Sequence, residues 1–128
     1  MVNRMDPVDH VKPAPEGSPH RSTCPIASLL DIVGDKWTLL VVRDLFAGRT
    51  RYADLMRNPE GIATNILADR LKRLELMGLV ERRRYQHKPP RDEYLLTAAG
   101  RELEDVLRAC MQWGFRHLPH TRPKSGAG

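Results

Sequence analysis

Between positions 82 and 91 the chain places Arg82, Arg83, Arg84, Lys88 and Arg91 with no acid among them. That one segment carries as much charge as the whole chain, +5 at pH 7. Such a focus is chemistry for a polyanion such as nucleic-acid phosphate. A short basic run taken alone is more often a solvated surface loop, so its neighbours must decide. The other reactive side chains are two cysteines, Cys24 and Cys110. Cys24 precedes Pro25 at what reads as a helix start, where the macrodipole favours thiolate and so reaction with oxidants or electrophiles. A free cysteine is more commonly a small buried side chain, and Cys110, in an apolar stripe, reads as core. Cys110 with His117 and His120 fits no common zinc spacing, so no metal is expected. No Gly-rich phosphate loop and no recognisable Ser-His-Asp or Cys-His set appears, which argues against an enzyme and against a bound cofactor.

The elements that hold these side chains belong to one domain of a 128-residue chain. Residues 1–23, with Pro7, Pro13, Pro15 and Pro19, and residues 118–128, ending Lys124-Ser125-Gly126-Ala127-Gly128, read as flexible tails around a domain at 24–117. The 41% hydrophobic content supports a globular middle. No apolar run of about 18 residues exists to cross a membrane. With two cysteines and no apolar signal core after Arg4, a reduced cytoplasmic setting is expected.

Pro25 suits a first helical turn, and Ile26, Leu29, Leu30 and Val33 share a face that Gly34 ends. Asp35 can cap a second helix, Lys36 to Phe46, apolar on nearly every side and therefore central. Thr50 is expected to cap a short helix at 51–56. After Asn58-Pro59-Glu60-Gly61, Leu67, Leu71, Leu74 and Met77 recur at helical spacing in a fourth helix that ends at Gly78. Residues 79–85 and 91–96 read as strands of a hairpin with its turn at 86–90. Thr97 can cap a last helix over about 98–117.

Short helix, turn, helix and basic hairpin make a winged helix-turn-helix, mainly α with a small β-hairpin wing. A helix of this kind fits the major groove of duplex DNA, and its first turn brings short polar side chains to base edges. The expected DNA-binding residues are Arg51, Thr64, Asn65, Ala68, Lys72 and Arg73, with Arg82, Arg84, Lys88 and Arg91 on the hairpin. Asn65 as a base contact and Asn65 as a helix cap remain equally open. Asp69 is expected to orient Arg73 four residues on. Arg83 alternates against Arg82 and Arg84, so the three cannot share one face. Tyr85 and Tyr94 read as packing under the wing. The other function open to this fold is a protein-interaction module that turns the hairpin to an acidic partner.

The chain resembles the HxlR-type regulators, within the winged-helix group that includes MarR-type proteins. The carrying residues are Cys24-Pro25, Gly34-Asp35-Lys36-Trp37, Arg51-Tyr52-x-x-Leu55, Gly61-Ile62, Leu67-x-x-Arg70-Leu71-x-x-Leu74, Gly78-Leu79-Val80, Pro89-Pro90-Arg91, Glu93-Tyr94-x-Leu96-Thr97 and Gly100, in order over about 24–117. The resemblance implies a homodimeric bacterial transcription factor on an inverted-repeat operator. It also implies a thiol sensor at Cys24 in some members and none in others. Two positions depart from the pattern. Ala63 stands where Ser is usual, which passes the cap role to Thr64, and Asp92 stands where an aliphatic residue is usual.

The first and last helices carry more apolar surface than a small monomer covers. Ile26, Leu29, Leu30 and Val33, with Leu103, Val106, Leu107, Cys110 and Trp113, are candidates for an isologous dimer interface; the competing role is to wrap the central helix. A small apolar effector would sit near Trp37 or Trp113.

Overall fold

The computed structural model describes residues 20–121. The helices are α1 (Pro25–Val33), α2 (Thr38–Phe46), α3 (Tyr52–Leu55), α4 (Thr64–Leu76), α5 (Ala98–Arg101) and α6 (Glu104–His117). A two-stranded antiparallel hairpin, β1 (Val80–His87) and β2 (Pro90–Leu96), lies between α4 and α5, and a 3₁₀ turn (Pro119–Thr121) follows α6. This is the winged helix-turn-helix that the sequence pattern predicts.

The core forms where α2, α4 and the base of the hairpin meet. Val41, Val42 and Leu45 of α2 pack with Leu67, Leu71 and Leu74 of α4 and with Leu55, Ile62, Leu79, Val80 and Leu96. α2 is the enclosed element its apolar surface implied. Its start differs from expectation, because Lys36 and Trp37 lie outside it. Asp35 still serves the helix end: its carboxylate accepts from the Trp37 and Thr38 N–H groups at 3.0 and 3.1 Å.

Three local expectations are corrected. Thr50 does not cap α3; Arg51 holds the cap position, with no side-chain bond. Thr50 is drawn instead to the hairpin, its carbonyl accepting from Tyr94 N–H at 2.8 Å and its hydroxyl facing Glu93 at 3.4 Å. The long last helix is two helices. Thr97 does cap the first, accepting from Gly100 N–H at 3.1 Å, but the chain turns at Glu102 before α6 begins. Gly100 is packed so closely on Leu79 that an added Cβ would lie 2.1 Å from its carbonyl oxygen. The hairpin is longer than expected and its turn tighter. Strand pairing continues to His87↔Pro90, with a bulge between Arg84 and Gln86. Pro90 is tolerated because it opens its strand.

Ordered contacts also extend past 24–117. Arg21 Nε donates to Asp31 at 2.5 Å, and the Thr121 hydroxyl donates to Gly114 O at 2.9 Å. The tail assignments for 1–19 and 122–128 lie outside the described residues.

Candidate nucleic-acid interface

α4 divides its surface cleanly. Leu67, Leu71 and Leu74 are buried, while Thr64, Asn65, Ala68, Asp69 and Lys72 are exposed along the opposite side. Among the described residues nothing covers the leading turn. No side chain caps it: Ala63 holds the cap position, so neither Thr64 nor Asn65 takes the role that Ser would fill. The positive end of the helix is thus presented together with short polar side chains.

Four contacts from neighbouring elements fix where that turn points, and the sequence reading found none of them. The Tyr52 hydroxyl donates to Thr64 O at 2.8 Å, joining α3 to α4. Arg43 on α2 donates to both Glu60 oxygens, at 2.9 and 2.8 Å, and so holds the loop between α3 and α4. Asp44, itself buried, accepts from Asn58 Nδ2 at 3.0 Å in the same loop. Arg70 Nε donates to Asp35 at 2.8 Å, tying mid-α4 to the turn before α2. Gly61 then enters α4 at φ 78°, backbone that L side chains rarely adopt.

These contacts set the local charge states. Burial works to raise the Asp35 carboxyl, but hydrogen bonds from Thr38, Arg70 and the Trp37 N–H outweigh it and hold the group well below the ordinary carboxylate range. The Arg43 guanidinium lowers Glu60, and Glu60 in turn raises Arg43. Asp69 does not orient Arg73 as expected; it pairs with its neighbour Arg70. Arg73 is half-buried at the margin of the exposed strip. It lines a cavity of about 210 Å³ with Asp31, Ile32, Thr38, Leu74, Leu76 and Met77, and neither Trp37 nor Trp113 takes part.

The three consecutive arginines of β1 are not free cations. Strand register sets Arg82 opposite Tyr94, Arg83 opposite Glu93 and Arg84 opposite Asp92. Arg84 Nε donates to Asp92 at 3.1 Å. Arg82 lies 3.9 Å from Asp92 and 3.8 Å from Glu75 of α4. Arg83, on the other face, lies 3.7 Å from Glu93. Lys88 and Arg91, exposed at the turn, face no acid among the described residues. Arg51 stacks over Tyr85, 4.0 Å from the ring centroid, and bridges to Glu93 through its backbone. Tyr94 is half-buried against the core, and burial raises its hydroxyl pKa.

The proposed interface side chains separate into three sets. Val33 and Leu103 are enclosed by their own chain, so they are core rather than free surface. Leu29, Val106 and Leu107 are half-buried against that core. Ile26, Leu30 and Trp113 are open, joined by Met111, Phe115 and Leu118. Cys110 is exposed, against its reading as core, and Cys24 is exposed at the start of α1. Among the described residues no three His, Cys, Asp or Glu side chains gather as metal ligands, and no helix is long and apolar enough to cross a membrane.

The comparisons agree with this geometry. A family model described as HxlR-like helix-turn-helix matches residues 32–122. An HTH-type transcriptional regulator of Synechocystis sp. is 43% identical over 91 residues, 71% of this chain and 67% of that protein. The chain spans only 59% of a relative from Mycobacterium tuberculosis, also 43% identical and also named an HTH-type transcriptional regulator. Among solved structures, the redox regulator HypR in its oxidised form aligns with a TM-score of 0.67 at 33% identity, covering 73% of this chain and 97% of HypR. The reduced form of the transcriptional regulator YodB from B. subtilis aligns at 0.64 and 28% identity, covering 76% and 96%. With its uncapped α4 beside a basic hairpin, the chain belongs to the HxlR-like helix-turn-helix family and is a transcriptional regulator.

Proposed function

We propose that the chain binds duplex DNA as a homodimer on an inverted-repeat operator, with the leading turn of α4 in the major groove and the hairpin on the backbone. One observation carries this reading: Thr64, Asn65, Ala68 and Lys72 form an exposed strip at an uncovered helix start. Asn65 then meets base edges, while Lys72, Lys88 and Arg91 meet phosphate, as do Arg51, Arg82 and Arg84 once their present partners yield. The dimer joins through α1 and α6, with the two reading helices about 34 Å apart, one turn of B-DNA. A DNA-bound regulator of this kind works in the cytoplasm.

The test is binding-site selection from random duplexes followed by footprinting and a salt series. Expected are a two-fold half-site pattern and a linear fall of log affinity with log salt. Lys88→Ala, which removes one contact from each protomer, lowers that slope by about 1.8 on every sequence. Asn65→Ala changes which bases are preferred. Failure to retard any duplex, including the protein's own upstream region, favours the protein-interaction module instead.

A second reading concerns Cys24. Its exposure at a helix start, together with the likeness to HypR, favours a response to oxidants or electrophiles. Operator affinity should change on adding a quinone or peroxide in the wild type and stay constant in Cys24→Ser. Equal behaviour of the two overturns it.

A further inference from the structure

The three consecutive arginines of β1 each lie within 4 Å of a carboxylate of the same chain, whereas Lys88 and Arg91 at the turn meet none among the described residues. Asp92 is central to this. It is opposite Arg84 in register and accepts from that guanidinium at 3.1 Å, and its second oxygen lies 3.9 Å from Arg82. Alternation along β1 puts Arg82 and Arg84 on one face, so one carboxylate serves both cations of that face. It is about three-quarters shielded, while the two arginines are half exposed. A carboxylate so placed offers guanidinium groups a negative charge and two acceptor oxygens, as a phosphate does.

We infer that Asp92 is an internal substitute for DNA phosphate, an autoinhibitory contact that occupies Arg82 and Arg84 until a duplex displaces it. The inference rests on the DNA-binding reading above. Docking of this face is then an exchange of partners rather than capture of phosphate by free cations. The group of Arg82, Arg84 and Asp92 presents one net positive charge to the backbone instead of two. Every duplex is therefore held less tightly than the arginine count implies. Glu75 adds a weaker hold on Arg82 from α4, at 3.8 Å.

The test compares the full chain with Asp92→Asn on a random-sequence duplex of about three helical turns, across salt. Asp92→Val, a strand-favouring replacement, supplies a second loss of the same charge should the amide variant fold poorly. Glu102→Gln, exposed in the turn before α6, is the charge-matched control. Neutralising Asp92 adds one effective phosphate contact in each protomer of the dimer, so the log–log salt slope steepens by about 1.8. The variant's advantage over wild type then grows about twelvefold between roughly 0.2 M and 0.05 M salt. Glu102→Gln keeps the wild-type slope. If both Asp92 variants run parallel to wild type, or no steeper than the control, this proposal is overturned while DNA binding stands. If the wild type binds no duplex at any salt, the DNA reading falls and takes this proposal with it.

Discussion

α4 and α6 are near twins on paper. They have 13 and 14 residues, and each repeats its apolar side chains at helical spacing. In the fold they part company. α4 buries Leu67, Leu71 and Leu74 between α2 and the hairpin, whereas α6 buries no residue fully and leaves Met111 and Trp113 more than half exposed. An apolar stripe states that a helix must cover one side; it does not state with what. α4 finds its cover within the chain. α6, with Ile26 and Leu30 of α1 equally bare, finds only part of its own. On the reading advanced above, a second copy supplies the remainder.

The sharpest way to break this contrast is to cut one residue from each stripe. Leu71→Ala removes a side chain that is 2% exposed and should cost about 2–5 kcal/mol, enough to unfold much of a small domain. Chemical denaturation followed by circular dichroism reads this directly. Trp113→Ala should act on association instead. A central aromatic of an interface is worth about 2 kcal/mol or more, so the dimer dissociation constant should rise at least about thirtyfold. Sedimentation reads the split, and the concentration dependence of the unfolding midpoint should flatten in the variant. A wild type that sediments as a monomer, or a Trp113→Ala protomer as damaged as Leu71→Ala, ends the contrast.

A smaller effect sharpens it from the side of α4, which is moored by Arg70 to Asp35 as well as by its leucines. The folded Asp35 carboxyl is held below its ordinary value. Its contribution is therefore complete above about pH 4, the unfolded value, and is lost as pH falls through the lower folded value. Asp35→Asn should be about 1–2 kcal/mol less stable than wild type at neutral pH, with the gap closing only in acid below about pH 4. A gap that stays constant down to the acid limit would count against Asp35 as the mooring.

Much of the fold was legible in the residues because its rules are local. Pro25 and Gly34 bracket α1, the leucine spacing gives α4, and Thr97 caps α5 through a bond only three residues long. The exposed strip at Thr64, Asn65, Ala68 and Lys72 was legible for the same reason, since the helix period fixes which residues lie opposite Leu67 and Leu71. Thr50 misled because capping competes with a partner far along the chain, and Tyr94 and Glu93 claimed it. The last helix misled because its break belongs to the packing of Gly100 on Leu79, which no window over 98–117 contains. Arg82 to Arg84 misled most. Their acids, Glu75, Asp92 and Glu93, lie outside the basic run and reach it only once register and helix packing are set.

The order of elements and the polar side of α4 follow from the chain alone, because each depends on spacings of a few residues, and the net charge follows from composition. Which cations stay free, which apolar side chains stay bare and where α4 points depend on groups brought together across the fold. Electrostatic pairing and burial act through space, and distance in space is what a linear order of residues leaves open until the chain has closed.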